Sequence, residues 1–301
     1  MQLARHTGNR ERPMKKPARK NRTSILLIVV FLVGLSVLLY PSISNYWNQF
    51  HASHAISKYE QTVSHLDENR KKQMLTVARR YNDLLRGGED QHHMTAAQQK
   101  EYNSLLNADG TGVMGYVDIP KIHVSLPVYH GTSDAVLAAG AGHLQGSSLP
   151  VGGTGTHAVI TGHRGLPSAK LFTDLDKMQA GDTFSLTVLG ETLYYKVDQI
   201  KIVLPSEVGS LTIDPKKDYV TLITCTPYGI NTHRLLVRGV RTNGPNTVNA
   251  AADAVQIDPM LVAPVVAAPI LLVLLIMLLT STARKRRDKG TPNFGKDESK
   301  K

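Results

Sequence analysis

Two long runs of apolar residues lie near the two ends of the chain. Residues 24–40 and 260–282 carry no charged side chain. In a helix, the 17 residues of the first run, at a rise of about 1.5 Å each, just span the hydrocarbon core of a bilayer. The pattern therefore predicts two membrane-spanning helices, over 23–43 and 259–282.

The charges that flank these runs predict their orientation. Residues 1–22 contain eight Lys or Arg and one acidic residue, and the basic run 284–287 follows the second apolar stretch. Because basic flanks remain in the cytoplasm, the tails 1–22 and 283–301 are expected inside and residues 41–259 outside. A cleaved signal peptide is the alternative for the first run, and a buried core helix for the second. The length of the first run, the lack of an Ala-x-Ala site after it and the basic stop after the second favour two anchors.

Helical spacing continues after the first run. Over residues 56–85, apolar and aromatic side chains recur on one face of a helix, and a Gly-Gly pair ends the pattern. Thr95 and Gln98 form a capping-box pattern, which predicts a second, shorter helix over 95–106. We therefore assign residues 44–111 to a helical region.

From residue 112 the pattern changes to short β-rich runs separated by Gly and Pro. These runs are 115–119, 158–161, 183–189, 193–197, 219–224 and 234–238. Many short strands with turns between them predict a closed barrel or a sandwich, and residues 112–241 are enough for one core. Residues 242–258 hold few large apolar side chains and are interpreted as a linker to the second span. The expected fold is mainly β, preceded by a helical segment.

The net charge of +11 is confined to the two tails. They hold 16 of the 35 Lys and Arg but 4 of the 24 Asp and Glu, so the remainder of the chain is nearly neutral. The excess charge is placed to contact anionic lipid headgroups. No basic patch remains that would indicate nucleic-acid binding.

Cys225 is the only cysteine in the chain. A cysteine outside the cell usually forms a disulfide, but this one has no partner in its own chain, so it is either an incidental free thiol or a reactive one. A reactive thiol needs a histidine for proton transfer and a cation or N–H donor for the oxyanion.

Two residues are candidates for these roles. His163 follows the end of a predicted strand and is flanked by glycines. On spacing alone, however, it is one of twelve histidines, and any of these is more often a surface residue. Arg234 lies nine residues after Cys225, where a hairpin would bring the two face to face, and the alternative is a solvated edge arginine. Arg238 shares that face and serves as a control.

A metal site is not expected. The paired histidines, His51 with His54 and His92 with His93, have no cysteine nearby that would complete a ligand set.

Five segments carry a family resemblance. They are 114–122, 126–132, 142–153, 161–167 and 221–239. In this order they resemble the sortase family, most closely its class C, pilin-polymerising members. The resemblance implies a sortase-type β-barrel, Cys225 as nucleophile, His163 as general acid/base, Arg234 as oxyanion and substrate clamp, and a substrate contact by Thr224. It implies no metal or organic cofactor.

The resemblance also implies a reaction and its partners. Cys225 would cleave an LPXTG-like sorting signal at the Thr–Gly bond, and the thioacyl enzyme would be resolved by a pilin lysine. The expected partners are a pilin, other LPXTG-bearing surface proteins and the lipid bilayer, with no nucleic acid.

Several other functions remain open. The enzyme could be a housekeeping sortase that anchors proteins to the cell wall, or a plain cysteine peptidase. The chain could also be a non-catalytic scaffold that presents pilins. An L,D-transpeptidase would carry a His-Gly-Cys signature, whereas Thr224 precedes Cys225 here.

One stretch departs from the class C pattern. Such sortases usually carry an Asp-Pro-aromatic lid over the thiol, but residues 87–94 contain no such motif. We therefore expect this segment to cover the thiol poorly. The alternative is that His93 or Met94 takes the place of the aromatic residue over the cleft.

Overall fold

The computed structural model describes residues 22–86, 94–244, 267–277 and 279–280. Four helices lie in the first two ranges: α1 (Arg22–His65), α2 (Glu68–Leu85), α3 (Ala96–Ser104) and α4 (Asp134–Ala139). The strands are β1 (Val113–Ile119), β2 (Val124–His130), β3 (Ala141–His143), β4 (Thr156–Thr161), β5 (Thr183–Val188), β6 (Glu191–Val203), β7 (Asp218–Thr226) and β8 (His233–Thr242). The predicted basic tails and most of the predicted linker and lid lie outside the described residues.

The eight strands close into a barrel in the order β1-β2-β3-β4-β7-β8-β6-β5. Neighbouring strands are antiparallel except for β2 with β3 and β4 with β7, which are parallel. Inward-facing apolar side chains fill the barrel, among them Val117, Leu186, Leu222 and Val237. The closed barrel expected from the sequence is confirmed.

Two strands of this barrel have no counterpart among the predicted runs. Strand β2 contains Pro127, and a proline usually argues against an inner strand because it donates no hydrogen bond. Pro127 is tolerated because β2 has only one paired neighbour at this position. Pro127 lies opposite Tyr116 of β1, and the pairing of β2 with β3 begins only at Val128. Strand β3 has three residues, too few to produce a periodic signal.

The helical region also differs from the expected single helix over 56–85. The chain breaks after α1, and Asp67 caps α2 by accepting hydrogen bonds from the N–H groups of Asn69 at 2.7 Å and Arg70 at 3.1 Å. The capping box of Thr95 and Gln98 at the start of α3 is confirmed.

The helices pack on the barrel through buried polar anchors. The Tyr59 hydroxyl donates to the Met114 carbonyl at 2.9 Å and accepts from the Leu189 N–H at 2.8 Å. It thus connects β1 with the end of β5, at a point where these two strands are no longer hydrogen-bonded to each other. Burial raises the pKa of Tyr59 to about 12. Asn82 of α2 pairs with both the N–H and the carbonyl of Leu149.

The two apolar runs form helices where they are described. Among the described residues, α1 is the one helix long and apolar enough to cross a membrane. The described part of the second run forms a shorter apolar helix, Ala267–Met277. The chain divides into two compact units, one of residues 39–260, which includes the barrel, and one that includes these apolar stretches.

Candidate active site

The parallel pairing of β4 with β7 brings His163 and Cys225 together. The register aligns Thr161 with Ile223, and the Gly162 N–H continues it by donating to the Ile223 carbonyl at 3.0 Å. Extended by two residues, this register sets His163 beside Cys225. Both side chains then lie on the face that carries Ile223, because alternate residues of a strand point the same way.

Thr224 holds the residue that precedes His163. It is 1 % exposed, and its hydroxyl donates to the Gly162 carbonyl at 2.8 Å. Its side chain therefore points to the face opposite Cys225 and fixes the backbone from which His163 projects. A direct substrate contact by Thr224 stays a prediction.

The antiparallel pairing of β7 with β8 aligns Cys225 with Arg234. The hairpin loop spans residues 227–232, so the side chains of Cys225 and Arg234 face each other at its mouth, as the sequence spacing indicated. One guanidinium nitrogen of Arg234, Nη1, donates to the carbonyls of Asn231 at 3.2 Å and His233 at 3.1 Å. These contacts with its own loop orient the guanidinium.

Cys225, His163 and Arg234 line one cleft of about 400 Å³. Its other walls are mainly apolar and come from three separate parts of the barrel. They include Leu137, Leu144, Val203, Leu204, Val208 and Leu236. Glu207 is the one carboxylate among the described residues that line this cleft. The arrangement offers a partly exposed thiol, an imidazole and a cation at one end of an apolar groove.

Two other histidines near the barrel are excluded from such a site by burial. His143 is fully buried, donates from Nε2 to the Ser148 carbonyl at 2.8 Å and accepts the Tyr102 hydroxyl at Nδ1 at 2.9 Å. Burial lowers its pKa to about 4, and burial likewise lowers the pKa of His157. Among the histidines in the described ranges, His163 is the one that lines the cleft with Cys225.

Arg164 is a further residue at the site, and the sequence patterns did not single it out. Its side chain is 8 % exposed, pairs with the Asp176 carboxylate and donates to the Thr226 hydroxyl at 3.3 Å. Because Arg164 follows His163 and Thr226 follows Cys225, this contact ties together the two strand ends that carry the imidazole and the thiol. The only local signal is an arginine directly after the histidine.

The predicted lid falls almost entirely outside the described residues. Only Met94 of residues 87–94 is described, and it packs against the cluster formed by α1, α2 and α3 with the barrel. Met94 is not among the residues that line the cleft, so this position does not support Met94 as a cover for the thiol.

Comparison with known proteins finds similar sequences and structures. A family model described as "Sortase domain" matches residues 117–242. The solved structure of sortase C1 from Streptococcus agalactiae is 51 % identical, covers 64 % of this chain and 99 % of that chain, and superposes with a TM-score of 0.62. Sortase C from Clostridium perfringens, solved with a C-terminal cell wall sorting motif, is 43 % identical over 64 % of this chain and 100 % of that chain, with a TM-score of 0.57. Sortase A of Listeria monocytogenes is 27 % identical over 71 % of this chain and 89 % of that protein.

The fold and these likenesses define a cysteine transpeptidase, an enzyme that transfers an acyl group from one amine to another through a thiol. This chain belongs to the sortase family, and the two solved structures named above are class C sortases.

Proposed function

We propose that this sortase is a membrane-anchored enzyme that cleaves an LPXTG-like sorting signal between Thr and Gly and transfers the acyl group to a pilin lysine. The observation that carries the proposal is the pairing of Cys225 with Arg234 on β8, together with the β4–β7 register, which continues past the end of β4 to bring His163 beside the thiol. All three side chains line the same cleft.

Acylation begins when the Cys225 thiolate attacks the threonine carbonyl carbon of the sorting signal. The C–N bond to glycine then breaks, and protonated His163 gives its proton to the leaving amine. One C–S bond forms as one C–N bond breaks. The step leaves a thioester on Cys225 and a neutral imidazole on His163.

Deacylation reverses the roles of the same groups. The ε-amine of a lysine attacks the thioester carbon, and neutral His163 accepts a proton from that amine. The thiolate of Cys225 leaves, and the product is an isopeptide bond between two pilin subunits.

Arg234 has the charge and the position to act on the substrate carbonyl. In both steps, negative charge develops on the carbonyl oxygen next to Cys225. A guanidinium held by its own loop and facing that sulfur can donate to this oxygen without reorganising. Arg234 also provides a clamp for the sorting signal, and Thr224 contributes by fixing Gly162.

The shape of the cleft suits an extended peptide with apolar residues before the scissile bond. Its apolar walls include Val203, Val208 and Leu144. Burial of an apolar side chain there is worth roughly 1.5–3 kcal/mol. No metal ion or organic cofactor enters the proposed steps.

The acceptor is proposed to be a pilin lysine because the solved structures of highest similarity named above are sortases of class C. Deletion of the gene should remove high-molecular-weight surface polymers while other LPXTG proteins remain anchored. Loss of general anchoring with intact polymers would instead identify a housekeeping sortase.

The proposed location places the barrel outside the membrane, between two spans at 23–43 and 259–282. Support comes from the apolar helix α1, the apolar second run and the basic residues next to both. The proposed domains are those assigned from the sequence: a helical region at 44–111, the barrel at 112–241 and a linker at 242–258. A membrane-impermeant thiol reagent should modify Cys225 on intact cells, and modification only after lysis would contradict this topology.

A non-catalytic scaffold that presents pilins is the remaining alternative. A thiol-directed probe should label Cys225, and Cys225→Ala should lose both the label and transpeptidation of a sorting peptide. Polymer formation that persists in Cys225→Ala would favour the scaffold.

A further inference from the structure

The loop that follows His163 returns to its starting point within nine residues. The Phe172 N–H donates to the His163 carbonyl at 3.1 Å, so the two ends of the loop are joined. The Phe172 ring packs on Gly162, where an added Cβ would lie 2.7 Å from a ring carbon. The position of this loop therefore controls the backbone from which the His163 side chain projects.

Helix α1 contacts the outer part of this loop through two asparagines. The Oδ1 atom of Asn45 accepts the Lys170 N–H at 2.8 Å, and Asn48 Nδ2 donates to the Ser168 carbonyl at 2.7 Å. The two asparagines are three residues apart and so lie on one face of the helix. They bind the backbone groups on either side of Ala169, which is 4 % exposed.

These contacts are specific in their atoms. Asn45 is 8 % exposed and uses its oxygen as an acceptor. Asn48 uses its amide nitrogen as a donor, and the same nitrogen also donates to the Ser44 carbonyl at 3.1 Å. Because the partners in the loop are main-chain groups, the pair fixes the path of the backbone rather than any side chain of the loop.

We propose that Asn45 and Asn48 are positioning residues for His163, so that the part of α1 beyond its apolar run belongs to the catalytic apparatus. The proposal rests on the function of His163 proposed above. It explains why one buried and one half-buried amide meet a loop that begins at the histidine. A loop held on only one side would let the imidazole move relative to Cys225, and a displacement of about 1 Å can lower a rate by roughly a hundredfold.

Helix docking alone does not require this pair. The helical region is already attached to the barrel through Tyr59 and Asn82, at Met114, Leu189 and Leu149. None of these contacts involves the loop after His163. The removal of Asn45 and Asn48 should therefore leave the helices docked and change the loop.

The test compares variants that differ by one atom type in the full-length protein in detergent. Asn45→Asp keeps the acceptor for Lys170, whereas Asn48→Asp replaces a donor with an acceptor that faces the Ser168 carbonyl. With an LPXTG peptide as substrate, we expect Asn45→Asp to retain kcat, and Asn48→Asp to lower kcat roughly tenfold to a hundredfold. KM should change by less than about twofold, because the cleft walls are not touched. Asn45→Leu should lower kcat as Asn48→Asp does, and Gln49→Ala, on the same helix, should match the wild type.

The outcomes separate this inference from the proposed function. Equal kcat values for Asn48→Asp, Asn45→Leu and the wild type would overturn the inference, as would losses in Asn45→Asp equal to those in Asn48→Asp. A change in KM with kcat unchanged would also overturn the inference. Activity retained in Cys225→Ala would instead overturn the proposed function, whereas an inactive Cys225→Ala beside fully active asparagine variants would overturn only the inference.

Discussion

Strand β8 carries two arginines on one face, and the two differ in the partners of their guanidinium groups. Arg238 lies opposite Thr221, whereas Arg234 lies opposite Cys225. Arg238 makes two hydrogen bonds to the Asp198 carboxylate, at 3.0 and 2.8 Å, and its guanidinium lies 4.1 Å from the centre of the Tyr219 ring. The hydrogen bonds that Arg238 donates to the Asp198 carboxylate raise the pKa of its guanidinium.

Arg234 has no comparable partner. Within the described residues it forms no ion pair, and its guanidinium donates to the carbonyls of Asn231 in the hairpin loop and His233 at the start of β8. The charge of Arg238 is compensated where it lies, whereas the charge of Arg234 remains available to the cleft. Two arginines four residues apart are thus distinguished by their partners and not by the sequence pattern, and this difference supports a functional role for Arg234 alone.

The largest effect is expected at the residue that faces Arg234. Cys225→Ala removes the only thiol in the chain, so peptide transpeptidation should fall to the background rate. Product formation from a sorting peptide, followed by chromatography, measures this. The variant should unfold at the wild-type temperature, and activity above background in a protein purified free of wild type would contradict the role of the thiol.

A smaller loss is expected when His163, two residues beyond the end of β4, is changed. His163→Ala should lower kcat by roughly 10²–10⁴-fold, because it removes proton transfer to the leaving amine and from the acceptor. The buried His143 offers a matched comparison, since His143→Gln should mainly lower the unfolding temperature. Similar losses of kcat per folded molecule in both variants would contradict the assignment of His163.

The two arginines provide the direct test of the comparison. Arg234→Ala should lower kcat/KM by roughly 10²–10³-fold if it supplies an oxyanion contact. Arg238→Ala should leave kcat/KM nearly unchanged and cost up to about 1 kcal/mol of unfolding free energy, as expected for a partly exposed ion pair. A silent Arg234→Ala beside an inactive Arg238→Ala would reverse the assignment of the two side chains.

The smallest effect is expected at Arg164, which acts through its neighbours. Arg164→Met keeps the apolar stem but removes both the bond to Thr226 and the ion pair with Asp176. We expect kcat to fall roughly tenfold, because the segments that carry the imidazole and the thiol are no longer tied together. KM for the peptide should be unchanged, since Arg164 does not line the cleft. Thr226→Val should give a similar loss, and a loss confined to KM would show that Arg164 binds substrate instead.

The parts of this picture that depend on local pattern could be predicted from the sequence. The alternating strands, the capping box at Thr95 and the facing of Cys225 and Arg234 across one hairpin all follow from residues close together in the chain. Strand β2 could not be predicted by the same means, because Pro127 is acceptable only where β2 lacks a second neighbour. The break at Asp67 was missed because the apolar spacing continues across it.

The parts that depend on distant pairing could not be predicted from spacing. His163 reaches Cys225 only because β4 and β7 are parallel neighbours, so the resemblance to a family was needed to single it out. Arg164 meets Thr226 across 62 residues, and Asn45 meets Lys170 across 125. No local pattern indicates such contacts.

The most direct test of the account is the intact mass of the full-length protein after it is mixed with an LPXTG peptide. The account predicts an adduct with the mass of the peptide acyl fragment that ends in threonine, located on Cys225 and released by hydroxylamine. The adduct should be absent in Cys225→Ala and should accumulate slowly in Arg234→Ala but at the normal rate in Arg238→Ala. Product formation without any adduct on the wild-type protein, or an adduct in Cys225→Ala, would contradict the central claim that Cys225 is the nucleophile.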